Sequence, residues 1–301
     1  MIIAPPETPA AQAAAHPPRS VEARSQRALA WQQFTRHRLA VAGVLVLTLL
    51  CLSALAAPLS PYDVNRTNLR DRFAAPSLLH PMGTDDLGRD EATRLFTGGR
   101  LSLAVGVLAT AVSIAVGTLV GACAGYFGGW LDSVLMRFTE LVIAFPPLFV
   151  LILLAVLVGT SFWTITLVIG LLRWMSVARL VRVTYLQLKQ RDFVIAARAL
   201  GASDAPIMWR HILPNALSPL IVSATLQVAG AILTESTLSF LGLGIQLPTA
   251  TWGNMLRTAQ ENLTPAPWLA FFPGLFIFLS ILSVNYIGDG VRDAVDPRRA
   301  G

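Results

Sequence analysis

Six stretches of the chain are apolar for long enough to cross a bilayer as helix, which takes roughly 20 residues. They run from Leu39 to Ala57 and over about 100–125, 132–158, 163–184, 215–240 and 268–289. Between them the sequence turns polar. Residues 58–97 carry Pro58, Pro61, Pro76 and Pro81 and read as a long extramembrane loop. A second polar stretch, Gln187 to Pro214, separates the fourth and fifth runs and has a short helical pattern of its own. Residues 1–26 are rich in Ala and Pro without an apolar period and read as a disordered tail. Residues 291–301 read as a second, short tail. Ala54-Leu55-Ala56 has the small-residue form of a signal cleavage site, but the first run is too long for a signal core and a long tail precedes it. An uncleaved first helix is expected. The pattern predicts an all-α membrane protein with six transmembrane helices.

Composition agrees with the pattern. Hydrophobic residues make up 54% of the chain and charged residues only 13%, against about 25% charged in a soluble domain. The net charge of +6 does not imply nucleic acid, because the arginines lie between the apolar runs rather than in one patch. Their distribution bears on orientation instead. With both termini cytoplasmic, fifteen Lys and Arg fall on the cytoplasmic side and seven outside, with Arg173 inside a span. The six arginines from Arg66 to Arg100 depart from the rule. They are accompanied by Asp63, Asp71, Asp85, Asp86, Asp90 and Glu91. Cys51 and Cys123 each sit within an apolar run and read as small buried hydrophobes.

No catalytic set is present. The single lysine, Lys189, is followed by Gln190, so the chain lacks the Gly-rich loop and Lys-Ser/Thr that cradle ATP phosphates. His16, His37, His80 and His211 are not at metal-ligand spacing, and neither metal nor cofactor is expected on this chain. Gly117, Gly121 and Gly125 form a small-residue stripe that lets helix backbones approach closely. Pro146 and Pro147 bend the third span. Three intramembrane charges, Glu140, Arg173 and Glu235, are functional candidates by default, although helix ends and interfaces also account for them. A self-sufficient secondary carrier would show internal repeats, and none is visible. A non-transporting scaffold explains the spans but gives the polar stretch 187–214 no purpose.

That stretch reads Arg191-Asp192-Phe193-Val194-Ile195-Ala196-Ala197-Arg198-Ala199-Leu200-Gly201-Ala202-Ser203, with Trp209-Arg210-His211-Ile212-Leu213-Pro214-Asn215 beyond it. The alanines favour helix and Gly201 suits a left-handed helix end. Ser203 can cap a second helix, with Asp204 at its positive end, and Pro214 is expected to break that helix before the fifth span. Ala196-Ala197, Gly201 and Ile212-Leu213-Pro214 resemble, in order and spacing, the EAA loop of binding-protein-dependent ABC importers. Ile195 stands where that family has Glu. Three further segments resemble the dipeptide/oligopeptide/nickel permeases, in particular the second permease type with its long first external loop. They are His80-Pro81-Met82-Gly83-Thr84-Asp85-Asp86-Leu87-Gly88-Arg89-Asp90, Leu233 to Gly244 with Trp252-Gly253, and Gly288 to Arg298.

The resemblance covers about residues 30–298. It implies a type I ABC importer transmembrane domain, with the first helix and periplasmic loop in 27–97, a core over 98–290 and a cytoplasmic coupling loop at 187–214. Ala196, Ala197, Arg198, Gly201, Ile212, Leu213 and Pro214 would form the ATPase-coupling element. The implied partners are a homologous permease subunit, two ATPase subunits that bind ATP and Mg, and a periplasmic or extracellular substrate-binding protein. The implied location is the bacterial inner membrane, and the implied cargo is peptides or similar small solutes such as nickel complexes or glutathione.

The charge asymmetry generates a direct test. In a cysteine-free background, Ser77→Cys should react with an impermeant thiol reagent in intact cells and Ser203→Cys should not. The reverse labelling would overturn the orientation.

Overall fold

A computed structural model describes residues 26–295; the tail assigned to 1–26 and the end of the second tail lie outside the described residues, apart from Gln26 itself. The described residues are helical, with no strand among them and one isolated bridge between Thr84 and Asp90. Helix α1 (Gln26–Arg36) leads into α2 (Arg38–Ala56), α3 (Glu91–Phe127), α4 (Gly129–Ile143), α5 (Pro147–Val158), α6 (Phe162–Leu171) and α7 (Trp174–Leu188). Then come α8 (Asp192–Ala199), a single turn α9 (Asp204–Pro206), α10 (Leu213–Phe240), α11 (Trp252–Glu261) and α12 (Trp268–Val295).

Five helical stretches are long and apolar enough to cross a membrane. The sixth expected span is not one helix. Pro146 and Pro147 remove two consecutive N–H donors, and the chain bends by 85° between α4 and α5. At 1.5 Å per residue these halves are only about 22 Å and 18 Å long, and neither crosses a hydrocarbon core of about 30 Å alone. The packing of their neighbours shows what the pair does. A Cβ on Gly117 would lie 2.7 Å from the Trp174 carbonyl oxygen, and one on Gly125 2.6 Å from that of Arg182, while Gly121 faces Ala178 and Val181. Numbers rise together along both helices, so α3 and α7 run parallel. A parallel pair requires the chain to return between them, and α4–α5 is the segment that brings it back.

The remaining contacts complete the arrangement. Ser113 meets Gln227 and Ser102 meets Glu235, so α10 is antiparallel to α3. Gly288 of α12 faces Thr225, while Gly43 of α2 faces the Ser283 carbonyl and Gly290 faces Ala40. The end of α1, the start of α2, the end of α3, the segment 189–206 and the end of α12 therefore lie at one end of the bundle. Residues 57–90, 159–161 and 241–267 lie at the other.

That second end is folded rather than loose, and the acidic neighbours of its arginines explain why. Asp85 receives Arg89 Nε at 2.6 Å and lies 3.6 Å from Arg94 Nε, with all three side chains buried. Asp90 caps α3 by accepting from Thr93 N at 2.8 Å and pairs with His80 Nδ1 at 2.9 Å. Helix α3 begins at Glu91, nine residues before the expected start, because Asp90 supplies this cap ahead of the apolar run. Helix α11 was not expected. It starts with a reciprocal cap between Thr251 and Asn254 and docks through the buried Trp252, whose Nε1 donates to the Leu95 carbonyl at 3.0 Å. Cys51 is exposed and not buried as expected, on a face of α2 where the large apolar residues Leu52 and Leu55 are exposed as well; Cys123 is half-buried.

Gly121→Leu should pry α3 from α7, since even its Cβ would come within 2.8 Å of the Val181 Cβ. Overpacking of this kind costs about 1–3 kcal/mol. The purified variant should insert normally but lose thermal stability in detergent. Wild-type stability would show that the two helices do not share this register.

Candidate functional site

The residues singled out between 187 and 214 gather at the end of the bundle. Asp192 sits in the first turn of α8, where the helix dipole favours a carboxylate. The helix stops in a full Schellman turn. Gly201 N donates to Arg198 O at 3.0 Å, Ala202 N donates to Ala197 O at 3.0 Å, and Gly201 has φ +82°. A Cβ at Gly201 would meet nothing within 4 Å, so conformation alone, and not crowding, calls for glycine there.

Two expectations change. Ser203 has the extended backbone of a cap residue, but its side chain makes no capping bond. The carboxylate beside it is used elsewhere, since Asp204 accepts from the Tyr126 hydroxyl at 2.5 Å. Pro214 does not break the second helix. Residues Ile207–Ile212 form a π-helical segment that runs directly into α10. Leu213 N bonds back to Met208 O, five residues earlier. The widened turn lets the proline ring enter at the start of α10 without striking the preceding carbonyls.

The helix pair is pinned from behind. Val194, Ala197, Ile207, Met208 and Ile212 are buried in one cluster with Tyr126, Val181 and Tyr185. Tyr185 donates to Met208 O at 3.1 Å and Lys189 Nζ to Tyr126 O at 3.1 Å. Arg198 donates to the Tyr126 hydroxyl at 3.4 Å, and this bond holds its guanidinium above its ordinary value. Ala196, Gly201 and Pro214 face outward, Leu213 is half-buried, and Ala197 and Ile212 face the bundle. Ala196 and Ala197 therefore occupy different faces. The outward surface mixes exposed apolar side chains, Ile195 at 56% and Leu200 at 88% together with Phe193 and Trp209, with the exposed charges of Arg191, Asp192, Arg198 and Arg210. Reading the sequence alone missed Tyr126, Tyr185 and Met208; the available signal was the tyrosines at span ends, where their rings anchor at the interface.

The three intramembrane charges do not converge. Glu140 lies on the outside of α4 within 3.4 Å of Arg137. Glu235 is fully buried, accepting from Ser239 Oγ at 2.7 Å and Ser102 Oγ at 3.1 Å, and so joins α10 to α3. Arg173 lies at the break between α6 and α7, where its Nε donates to Gln227 Oε1 at 3.0 Å. Among the described residues, no group of His, Cys, Asp and Glu is arranged to hold a metal.

Residues 117–301 match the family described as the binding-protein-dependent transport system inner membrane component, and residues 25–76 match the N-terminal transmembrane domain of oligopeptide transport permease C. The chain belongs to this family of ABC importer permeases. It is 44% identical over 269 residues to a protein of Brucella suis named as a peptide permease, covering 88% of this chain and 89% of the other. It is 42% identical over 271 residues to the dipeptide transport system permease protein DppC of Bacillus subtilis, covering 89% and 85%. It is 40% identical over 270 residues to the glutathione transport system permease protein GsiD of Pectobacterium atrosepticum, covering 89% and 90%. As a member of the family the chain is a multi-pass membrane permease with the type I fold, and ATP hydrolysis belongs to separate subunits.

The turn at Gly201 carries its own test. Gly201→Val should cost on the order of 1–3 kcal/mol, because a β-branched residue is strained at positive φ. Gly201→Asn should cost much less, since Asn tolerates that region. Limited proteolysis of membrane-inserted protein should cut 187–214 faster in the Val variant only; equal rates would remove the conformational argument.

Proposed function

We propose that this permease forms half of the translocation path of an inner-membrane importer for peptides or similar small solutes, beside a homologous permease, two ATPase subunits and an external binding protein. The observation that carries the reading is the pinned helix pair at 192–212. It is packed at its back, turns sharply at Gly201 and presents exposed apolar side chains, Ile195 and Leu200, at one end of the bundle, which is the form of an element that enters a groove on a soluble partner. The positive charge bias supports placing that end, and both termini, in the cytoplasm. Names of relatives support the cargo, since they specify peptide, dipeptide and glutathione transport.

In this reading, ATP-driven closure of the ATPases draws two such helix pairs together. The bundles switch between packed states by rigid-body motion, because interiors this closely packed do not deform continuously. ATP and Mg stay with the ATPases. Selectivity is shared with the binding protein.

Ile195 supplies the test. Its side chain is outward and apolar where the resembling loops carry Glu. If it is covered on docking, Ile195→Glu buries a carboxylate without a partner and should weaken ATPase retention at least about tenfold, the equivalent of about 1.4 kcal/mol. Binding-protein-stimulated ATP hydrolysis by the reconstituted complex should fall in step. Wild-type retention and wild-type stimulation in this variant would remove Ile195 from the docking surface.

A further inference from the structure

We infer that Arg173 is a carboxylate-binding residue on the translocation path, with Arg179 as a second cationic contact, and that it receives the free C-terminal carboxylate of the transported peptide. The inference rests on the peptide-importer reading above and adds to it a specificity-determining residue.

Depth is the first observation. The partner of Arg173, Gln227, lies midway along α10, and Gln227 also donates to Ser113 Oγ at 3.2 Å. Arg173 is therefore held near the middle of the bundle. A cation at that depth is costly against lipid and is expected to face a protein or water-filled cavity.

The cavity is present. A concavity of about 270 Å³ is lined by the polar Arg173, Ser176, Arg179 and Gln227 and, among its apolar residues, by Val142, Phe145 and Pro147. These last residues belong to the elbow between α4 and α5. Irregular backbone at membrane depth is tolerated where it lines a cavity or is buried in protein. The broken span and the half-buried cation thus border the same space.

Unspent hydrogen-bonding capacity is the third observation. Among the described residues Arg173 has no carboxylate partner, and its one side-chain bond uses Nε alone. The rest of the guanidinium passes over Gly230, with Cζ 2.9 Å and Nη1 3.2 Å from where a Cβ would stand and Nη2 closer still. A side chain there would displace the fork. Gln227 thus fixes the plane of the guanidinium, Gly230 gives it room, and the two terminal nitrogens are left to donate. This is the arrangement that binds a planar carboxylate through two parallel bonds. Ser176 and Arg179 follow at three and six residues on the outward face of α7 and extend the polar strip toward the 189–206 end. Peptides and glutathione share one feature that this strip can read, a free carboxylate. A site whose charged groups are both cations takes the anionic end of the cargo and leaves side chains unread, which suits a path serving peptides of varied sequence.

The experiment uses the full complex in proteoliposomes, with its binding protein, and measures uptake of trialanine and of trialanine C-terminal amide. The readout is the acid-to-amide uptake ratio. Any preference of the binding protein is the same for every variant and cancels. Arg173→Gln should lower the ratio about tenfold or more, the loss expected when a site built for bidentate pairing is stripped of its fork. Arg173→Lys keeps the charge but not the fork and should lie between. Arg179→Gln and Gly230→Ala should lower the ratio by smaller factors. An unchanged ratio in assembled Arg173→Gln, or an equal fall for both peptides, overturns the proposal. If Arg173→Gln fails to assemble, the Lys and Arg179→Gln variants decide by the same criterion. Uptake of neither peptide by the wild-type complex would instead count against the peptide reading itself.

Discussion

The close approach of α3 and α7 is the contact on which the rest of the structure depends. In lipid there is little hydrophobic drive for two helices to meet, so their association relies on backbone proximity and packing. Gly117, Gly121 and Gly125 provide that proximity over three successive turns, each opposite the next turn of α7. The register this fixes has consequences at both ends of α7. At one end Arg173 comes level with Ser113 and Gln227 in mid-bundle. At the other, Tyr185 and Lys189 are held beside Tyr126, where they anchor the segment that follows.

Helix α7 is thereby a rod of about 22 Å between two places of different chemistry. Its 189-side end carries the helix pair proposed to dock the ATPase, and its other end carries the arginine proposed to read the cargo. Close packing along its length on α3 is what would let the proposed docking movement carry α7 and α3 together. Glu235 extends the same unit to the far side. Its carboxylate binds hydroxyls of Ser102 on α3 and Ser239 on α10, while Ser102 Oγ also accepts from Trp252 N at 3.3 Å. Helix α11 is therefore tied to the same core helices.

Features that depend on local chemistry were legible in the sequence. Five of the spans follow from apolar length, and the left-handed turn at Gly201 follows from its place after an alanine-rich helix. The glycine stripe was visible, but not its partner helix, because an i, i+4 pattern says that a helix is approached and not by what. The bend at Pro146 and Pro147 was expected, whereas its 85° extent depends on the packing of the two halves. Helix α11 is short and amphipathic, and nothing in its composition separates it from a polar loop until Trp252 is seen buried against α3. Of the arginines that did not fit the charge rule, Arg89 and Arg94 share the buried carboxylate of Asp85, which side-counting does not register. Ser203 and Pro214 failed as a cap and as a breaker for one reason. Tertiary partners, Tyr126 for Asp204 and Tyr185 for the π-helical turn, set a geometry that local propensity did not contain.

The broken span and Arg173 explain each other. Taken alone, each is unfavourable in hydrocarbon: the elbow lacks the N–H groups of two prolines, and the arginine has no carboxylate partner among the described residues. Placed apart, each would need its own protein cover. Placed around one concavity, they share a single space inside the protein, and the apolar outer faces of α5 and α6 can still meet lipid. The parallel register of α3 and α7 requires a return crossing between them, and a straight span would serve that purpose at lower cost. The sequence spends two consecutive prolines to bend it instead. The bend turns the elbow toward the mid-depth cation, which is the arrangement a path needs if it must hold an anion briefly without closing around it.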